Sequence, residues 1–179
     1  NADLDEDGAV GWLAGFAYQI PEIALKTSIT YRSEIDHKAS AREYGQSNVL
    51  AFVGSSPVYD VATDANITTP QSVNLDFQTG IMANTVAFAN VRWVNWKDFS
   101  LDLKQFGTVA DTLGALGQTP DNPNGFDIVG YTDDQWSANV GVGRKFNDLW
   151  AGNVSVGWDS GAGNPISTLG PTEGYWNVG

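Results

Sequence analysis

The feature that most constrains this chain is a side-chain alternation with a period of two. From Ile23 to Asp36 the odd positions read Ile23, Leu25, Thr27, Ile29, Tyr31, Ser33 and Ile35, and the even ones Ala24, Lys26, Ser28, Thr30, Arg32, Glu34 and Asp36. Successive side chains of a strand point to opposite faces, so the pattern predicts a strand with one apolar and one polar face, not a helix. The same rule groups Val10, Trp12, Ala14, Phe16 and Tyr18 on one face. It does the same for Val73, Leu75, Phe77, Thr79 and Ile81, and for Ala87, Ala89, Val91 and Trp93. Trp136, Ala138, Val140 and Val142, then Trp150, Val154, Val156 and Trp158, complete the set. Strands are predicted over about 8–20, 23–38, 71–82, 84–98, 134–146, 149–160 and 174–179. No long amphipathic helix stands out, and the chain reads as all-β.

Connections alternate in length. Tight turns are expected around Pro21-Glu22, Met82-Ala83-Asn84 and Asn147-Asp148. Long loops rich in Ser, Thr, Asn, Asp, Gly and Pro are expected over about 39–69, 102–133 and 161–172. Short and long connections in turn describe an antiparallel up-and-down meander whose two rims differ. A bacterial transmembrane β-barrel has that form, with its apolar face to lipid, its polar face to the lumen and aromatic girdles at both interfaces. Tyr18, Phe77, Phe146 and Trp150 lie near the tight turns, whereas Trp12, Tyr31, Trp93, Trp136 and Trp158 lie about 8–11 residues away. Two such belts on tilted strands would stand roughly 20–25 Å apart, the height of the apolar band. A soluble β-barrel would instead have to pack Trp12, Tyr31, Trp93, Trp136, Trp150 and Trp158 into a small interior.

Composition narrows the function. The 179 residues hold no Cys and one His, which removes a disulfide framework, a Cys metal site or nucleophile, and a His cluster. Nine basic against 21 acidic residues, a net charge of −12, argue against a nucleic-acid partner. Most acids fall in the predicted loops and at strand ends. The chain opens at Asn1 and stops at Gly179 inside what reads as a strand, so a fragment of a longer protein is expected.

Gly11-Trp12-Leu13-Ala14-Gly15-Phe16-Ala17-Tyr18-Gln19, a Pro turn, and Leu25-Lys26-Thr27-Ser28-Ile29-Thr30-Tyr31-Arg32-Ser33 resemble a hairpin of the FadL-type outer-membrane transporters of long-chain fatty acids and other hydrophobic compounds. Thr69-Pro70-Gln71-Ser72-Val73-Asn74-Leu75 leading to Val91-Arg92-Trp93-Val94-Asn95-Trp96 is similar to the next hairpin. Gly141-Val142-Gly143-Arg144-Lys145-Phe146 and Gly174-Tyr175-Trp176-Asn177-Val178-Gly179 resemble later strands. The resemblance implies a fourteen-stranded barrel plugged by an N-terminal hatch, of which about 6–7 strands stand here. It implies a non-enzymatic, cofactor-free protein of the bacterial outer membrane, monomeric when full length. Its partners would be a long-chain fatty acid or other hydrophobic small molecule, outer-membrane lipid and lipopolysaccharide. Uptake would be passive: capture in the outer loops, transfer to a lumen site, and sideways release.

Candidate residues follow. Lys26, Arg32 and Arg92 fall on the expected lumen face, as contacts for a fatty acid carboxylate or as ion pairs that stiffen the wall. Leu13, Phe88 and Trp96 would supply apolar lumen surface, Trp96 being equally suited to an interface. Val49, Leu50, Phe52 and Val53 form an apolar run in a polar connection. They are either a capture patch at the outer rim or a segment packed onto its own loop, possible also as a short helix. Glu34, Asp36 and His37 sit close in sequence, but Asp36 and His37 point to opposite faces of a strand, and they offer no catalytic constellation. Asp121-Asn122-Pro123-Asn124-Gly125-Phe126-Asp127 lacks the twelfth-position Glu of a calcium loop and is read as a turn; no metal is expected. The rival functions are a general or substrate-selective porin, disfavoured by lumen positions that are mostly Gly, Ala, Ser and Asn, and a soluble lipid-binding β-barrel.

Overall fold

A computed structural model describes residues 2–5, 8–101, 103–120, 122–125, 128–163 and 173–179. The strands in chain order are β1 (Ala2–Leu4), β2 (Leu13–Ile20), β3 (Leu25–Arg32), β4 (Ile35–Gln46), β5 (Val58–Thr69), β6 (Ser72–Met82) and β7 (Thr85–Val94). After β8 (Ser100–Leu101) come helix α1 (Lys104–Ala115), β9 (Val129–Gly130), β10 (Gln135–Lys145), β11 (Ala151–Asp159) and β12 (Tyr175–Val178). The protein is mostly antiparallel sheet. Among the described residues no helix is long and apolar enough to cross a membrane.

Seven strands form one sheet in the order β12-β11-β10-β7-β6-β3-β2, every neighbour antiparallel. The sheet is open, with β2 and β12 as its edges. Its register puts apolar side chains opposite one another across all seven strands: Phe16 faces Ile29, Ile29 faces Leu75, Leu75 faces Val91, Val91 faces Ala138, Ala138 faces Trp158, and Trp158 faces Trp176. That face is open to the surroundings, with Phe16 67%, Val140 60% and Val154 58% exposed. The alternation therefore sorts side chains as expected, and the apolar side is broadly exposed. Tight hairpins join β2 to β3, β6 to β7 and β10 to β11. Ala24 and Asn84 take left-handed backbone in the first two.

Three expectations are corrected. The strand expected over 23–38 is two strands. Ser33 exchanges bonds with Trp12, donating from its N–H (2.9 Å) and accepting the Trp12 N–H on Oγ (2.9 Å), after which the chain leaves the large sheet. The alternation in sequence passes through this break because it reports the pleat and not the partner. The connection expected over 39–69 is a hairpin of β4 on β5, paired from Ile35↔Thr69 to Gln46↔Val58. Its inward face mixes Ala39, Ala41 and Glu43 of β4 with Val61, Thr63 and Ala65 of β5, and the small and charged residues blur the hydropathic alternation in β4. The connection expected over 102–133 holds α1. Phe106, Val109, Ala110 and Leu113 do have the i, i+3, i+4, i+7 spacing of a helix, diluted by Gly107 and Gly114.

The helix packs on this hairpin. Ala41, Ala65 and Leu103 form a small core against which Phe106 and Ile128 pack. Leu103, at the N-cap, has no side chain to cap the helix. Glu43 of β4, 3% exposed, caps it instead: its carboxylate accepts the N–H groups of Gln105 (3.0 Å) and Phe106 (3.1 Å). Residues 164–172 of the third long connection, and Asp121, Phe126 and Asp127 of the turn read against a calcium loop, lie outside the described residues.

Candidate functional site

The polar face of the large sheet is hollowed. Between β2, β3, β6, β7 and β10 it encloses a trough of about 790 Å³. Register sets what lines it. One row runs Ala17, Ser28, Asp76, Asn90, Asn139, and the next toward the tight turns runs Gln19, Lys26, Gln78, Phe88, Gly141. Ser28 Oγ donates to Asp76 Oδ2 (3.2 Å) and Asn90 Nδ2 donates to Asp76 Oδ1 (2.6 Å), so the carboxylate is held from both sides. Asn139 Oδ1 is buried and has no hydrogen-bond partner among the described residues. Phe88 lies over Gly141, where any Cβ would overlap its ring. The apolar face carries a smaller groove of about 340 Å³ beside Val91, Val140, Trp158 and Trp176.

Of the six expected lumen residues, the trough brings together Lys26 and Phe88. Lys26, Arg92 and Arg32 share the polar face but stand at three levels. Arg92 is four residues along the register from the Lys26 row and Arg32 six, roughly 13 and 20 Å. They form no common anion site. Arg92 donates to Asn74 Oδ1 (3.4 Å). Leu13, opposite Arg32, is 58% exposed at the long-loop end. Trp96 is in a 3-10 turn (Trp96–Asp98), its ring 4.9 Å from Tyr131 and 5.5 Å from Phe99, with Nε1 donating to Gln135 Oε1 (2.8 Å). Burial raises the Tyr131 hydroxyl above its ordinary value.

The aromatics expected as girdles stand on the apolar face. Tyr31, Trp93 and Trp136 share a row near the long-loop rim. Trp12 packs tilted against Tyr31 (ring centroids 4.9 Å apart), and Trp93 against Trp136 (6.5 Å). Phe146 and Trp150 flank the β10–β11 turn, and the Phe146 N–H donates to the Trp150 carbonyl (2.9 Å). Tyr18 and Phe77 lie in one row across Thr27. That row stands two residues from the end of β2 but five from the end of β6, so Phe77 is farther from its turn than Tyr18 is.

At the rim, Asp134 gathers its neighbours. Trp93 Nε1 donates to Oδ2 (3.0 Å) and Asn95 Nδ2 to Oδ1 (2.9 Å), while Lys97 Nζ stands 3.9 Å away. Asn95 accepts in turn from Gln71 (3.3 Å), which accepts from the Tyr31 hydroxyl (2.8 Å). Burial pushes the Asp134 carboxyl up, but the bonds from Asn95 and Trp93 and the Lys97 charge together outweigh it and hold the group below its usual value.

The apolar run between β4 and β5 divides. It forms a 3-10 turn (Asn48–Val53) that lies against α1, and in it Leu50 is fully buried. Leu50 is therefore not part of a capture surface. Val49 is half-buried, and Phe52 and Val53 remain open at 73% and 51%. Sequence reasoning missed Ser28, Asp76, Asn90 and Asn139. Each was legible as a polar position of an alternating strand, but their convergence depends on register, which no single strand encodes. Among the described residues no group of three His, Cys, Asp or Glu side chains is placed to hold a metal.

Seven antiparallel strands with a broadly exposed apolar face and a hydrogen-bonded polar trough define the class of this protein at the level of its fold. Compared with known families and with curated proteins, the chain matches no family model and no curated sequence.

Proposed function

We propose that this chain is part of an outer-membrane β-barrel that takes up long-chain fatty acids or other hydrophobic compounds passively. The observation that carries the reading is the polarity of the large sheet: its predominantly apolar face is broadly exposed, while its polar face lines the trough. In water such a face would be an exposed apolar patch far larger than soluble monomers tolerate; against lipid it is the favourable arrangement. The aromatic residues toward the rims, with Trp93 and Tyr31 each bonded to a polar partner there, suit the membrane–water interface. Closure of the barrel belongs to this proposal, since lipid does not tolerate open sheet edges. The ligand would enter past Phe52 and Val53 and occupy the trough.

Two measurements test this. Tryptophan emission should be quenched when the protein is reconstituted with lipids brominated along the acyl chain; a detergent-free soluble monomer with unquenched emission would exclude the membrane. Expression of the protein in a strain lacking fatty-acid uptake should restore accumulation of labelled oleate. Uptake of small sugars without oleate would favour a porin.

A further inference from the structure

Within the seven strands of the large sheet, the apolar face carries a single charged residue. It is Arg144, which follows Trp136, Ala138, Val140 and Val142 on that face of β10. Every other charged residue of these strands, Lys26, Arg32, Asp76, Arg92, Lys145 and Asp159, falls on the polar face. Arg144 is exposed, and among the described residues its guanidinium has neither an ion pair nor a hydrogen bond. Its neighbours across the sheet are Thr85 and Gly152. The Phe146 ring lies 3.2 Å from the place a Gly152 Cβ would take, so a ring and not a carboxylate covers the face there. Asp148, in the adjoining turn, is bonded to Lys145 (2.7 Å). A cation on a lipid-facing row reaches for the head-group layer, and the guanidinium fork matches a phosphate. Four and six residues back along β10, Val140 and Ala138 line the apolar groove of about 340 Å³. That lining sets small side chains, Ala89 and Ala138, beside the large rings of Trp158 and Trp176. At about 3.3 Å per residue on a strand tilted by about 40°, the two rows of the groove lie roughly 10 and 15 Å in depth from Arg144. One leaflet of hydrocarbon is about 15 Å deep.

From this juxtaposition we propose that Arg144 and the groove together bind one anionic glycerophospholipid, its phosphate on the guanidinium and one acyl chain along Val142 and Val140 against Trp158. The assignment rests on the membrane reading above, and it names a lipid partner of the sheet's apolar face, separate from any cargo in the trough. The tight turns of bacterial barrels face the periplasm, so this lipid belongs to the leaflet on that side. A chain without a head-group charge would leave the guanidinium unpaired. Phosphatidylcholine brings its own ammonium to the phosphate, whereas phosphatidylglycerol leaves the phosphate to Arg144.

The test is a titration of the protein in dodecyl maltoside micelles with two lipids brominated at mid-chain, phosphatidylglycerol and phosphatidylcholine, read as quenching of tryptophan emission. Phosphatidylglycerol should quench saturably and bind about tenfold more tightly, the ratio one charge-assisted hydrogen bond supplies. Trp158→Phe should remove most of the saturable part. Arg144→Gln should abolish the preference and Arg144→Lys, which keeps the charge, should retain part of it. Ala138→Leu, which fills the groove without touching the guanidinium, should weaken both lipids. Lys145→Gln removes the same charge one residue away on the polar face and should change neither. Equal affinity for the two lipids overturns the assignment, as does a loss of preference in Lys145→Gln matching that in Arg144→Gln; both outcomes leave the membrane reading standing. Tryptophans unquenched by either lipid overturn both.

Discussion

At Gly141 the wall of the trough has room for Phe88 only because no side chain stands there. An added methyl would overlap the ring and come within 2.6 Å of the Val154 carbonyl oxygen in the neighbouring strand. Gly141→Ala should therefore destabilise the fold by about 1–3 kcal/mol, as overpacking does, measurable as a lower urea midpoint. Gly143, two residues on, has nothing closer than 3.6 Å, and the same change there should be mild. Asp134 makes a different prediction. Its carboxyl is held below the usual value by Asn95, Trp93 and Lys97, so its contribution is present above the unfolded-state pKa of about 3.9. It is lost as pH falls through the lower folded-state value. A thermal unfolding series from neutral to strongly acidic pH should show this loss, and Asp134→Asn should remove that part of it. The Trp93 indole N–H resonance should move over the same acid range.

Neighbouring residues of β4 serve different elements. Arg42 pairs with Asp60 through two bonds (2.7 and 2.6 Å), which raise the guanidinium pKa and lower the carboxyl. Both side chains are more than half exposed, and solvent screens the pair. Glu43, on the opposite face, is buried and caps α1. Glu43→Ala should leave the Gln105 and Phe106 N–H groups without acceptors, at about 1–3 kcal/mol, and hydrogen exchange at those two amides should accelerate. Arg42→Ala should leave both exchange rates unchanged. The long connections thus hold an ordered body, the β4–β5 hairpin with α1 upon it, in place of the irregular loops their composition suggests. The helix was partly legible in the spacing of Phe106, Val109, Ala110 and Leu113. Its start was not, because Leu103 occupies the N-cap and the capping group lies about sixty residues earlier in the chain.

For the whole molecule the decisive question is which solvent meets the apolar face. Leu75 sits in the middle of that face, 44% exposed, between Ile29 and Val91. Leu75→Arg should impair insertion into vesicles and cost about 2–4 kcal/mol in a bilayer, the depth-dependent penalty for a charge on a lipid-facing strand. In a water-soluble barrel the same change at an exposed site would be nearly neutral, so the refolding yield in lipid distinguishes the two. The sequence by itself determined the antiparallel strands, their tight turns and which side chains share a face, because alternation is a property of each strand's own pleat. It could not determine that Ser33 ends one sheet and that Ile35 begins another, since the pleat continues unbroken while the partner changes. Nor could it show that Lys26 and Phe88 meet at Asp76, Asn90 and Asn139 while Arg32 and Arg92 stand apart. Those are facts of register, set by hydrogen bonds between strands far apart in the chain, and only the tertiary structure decides them.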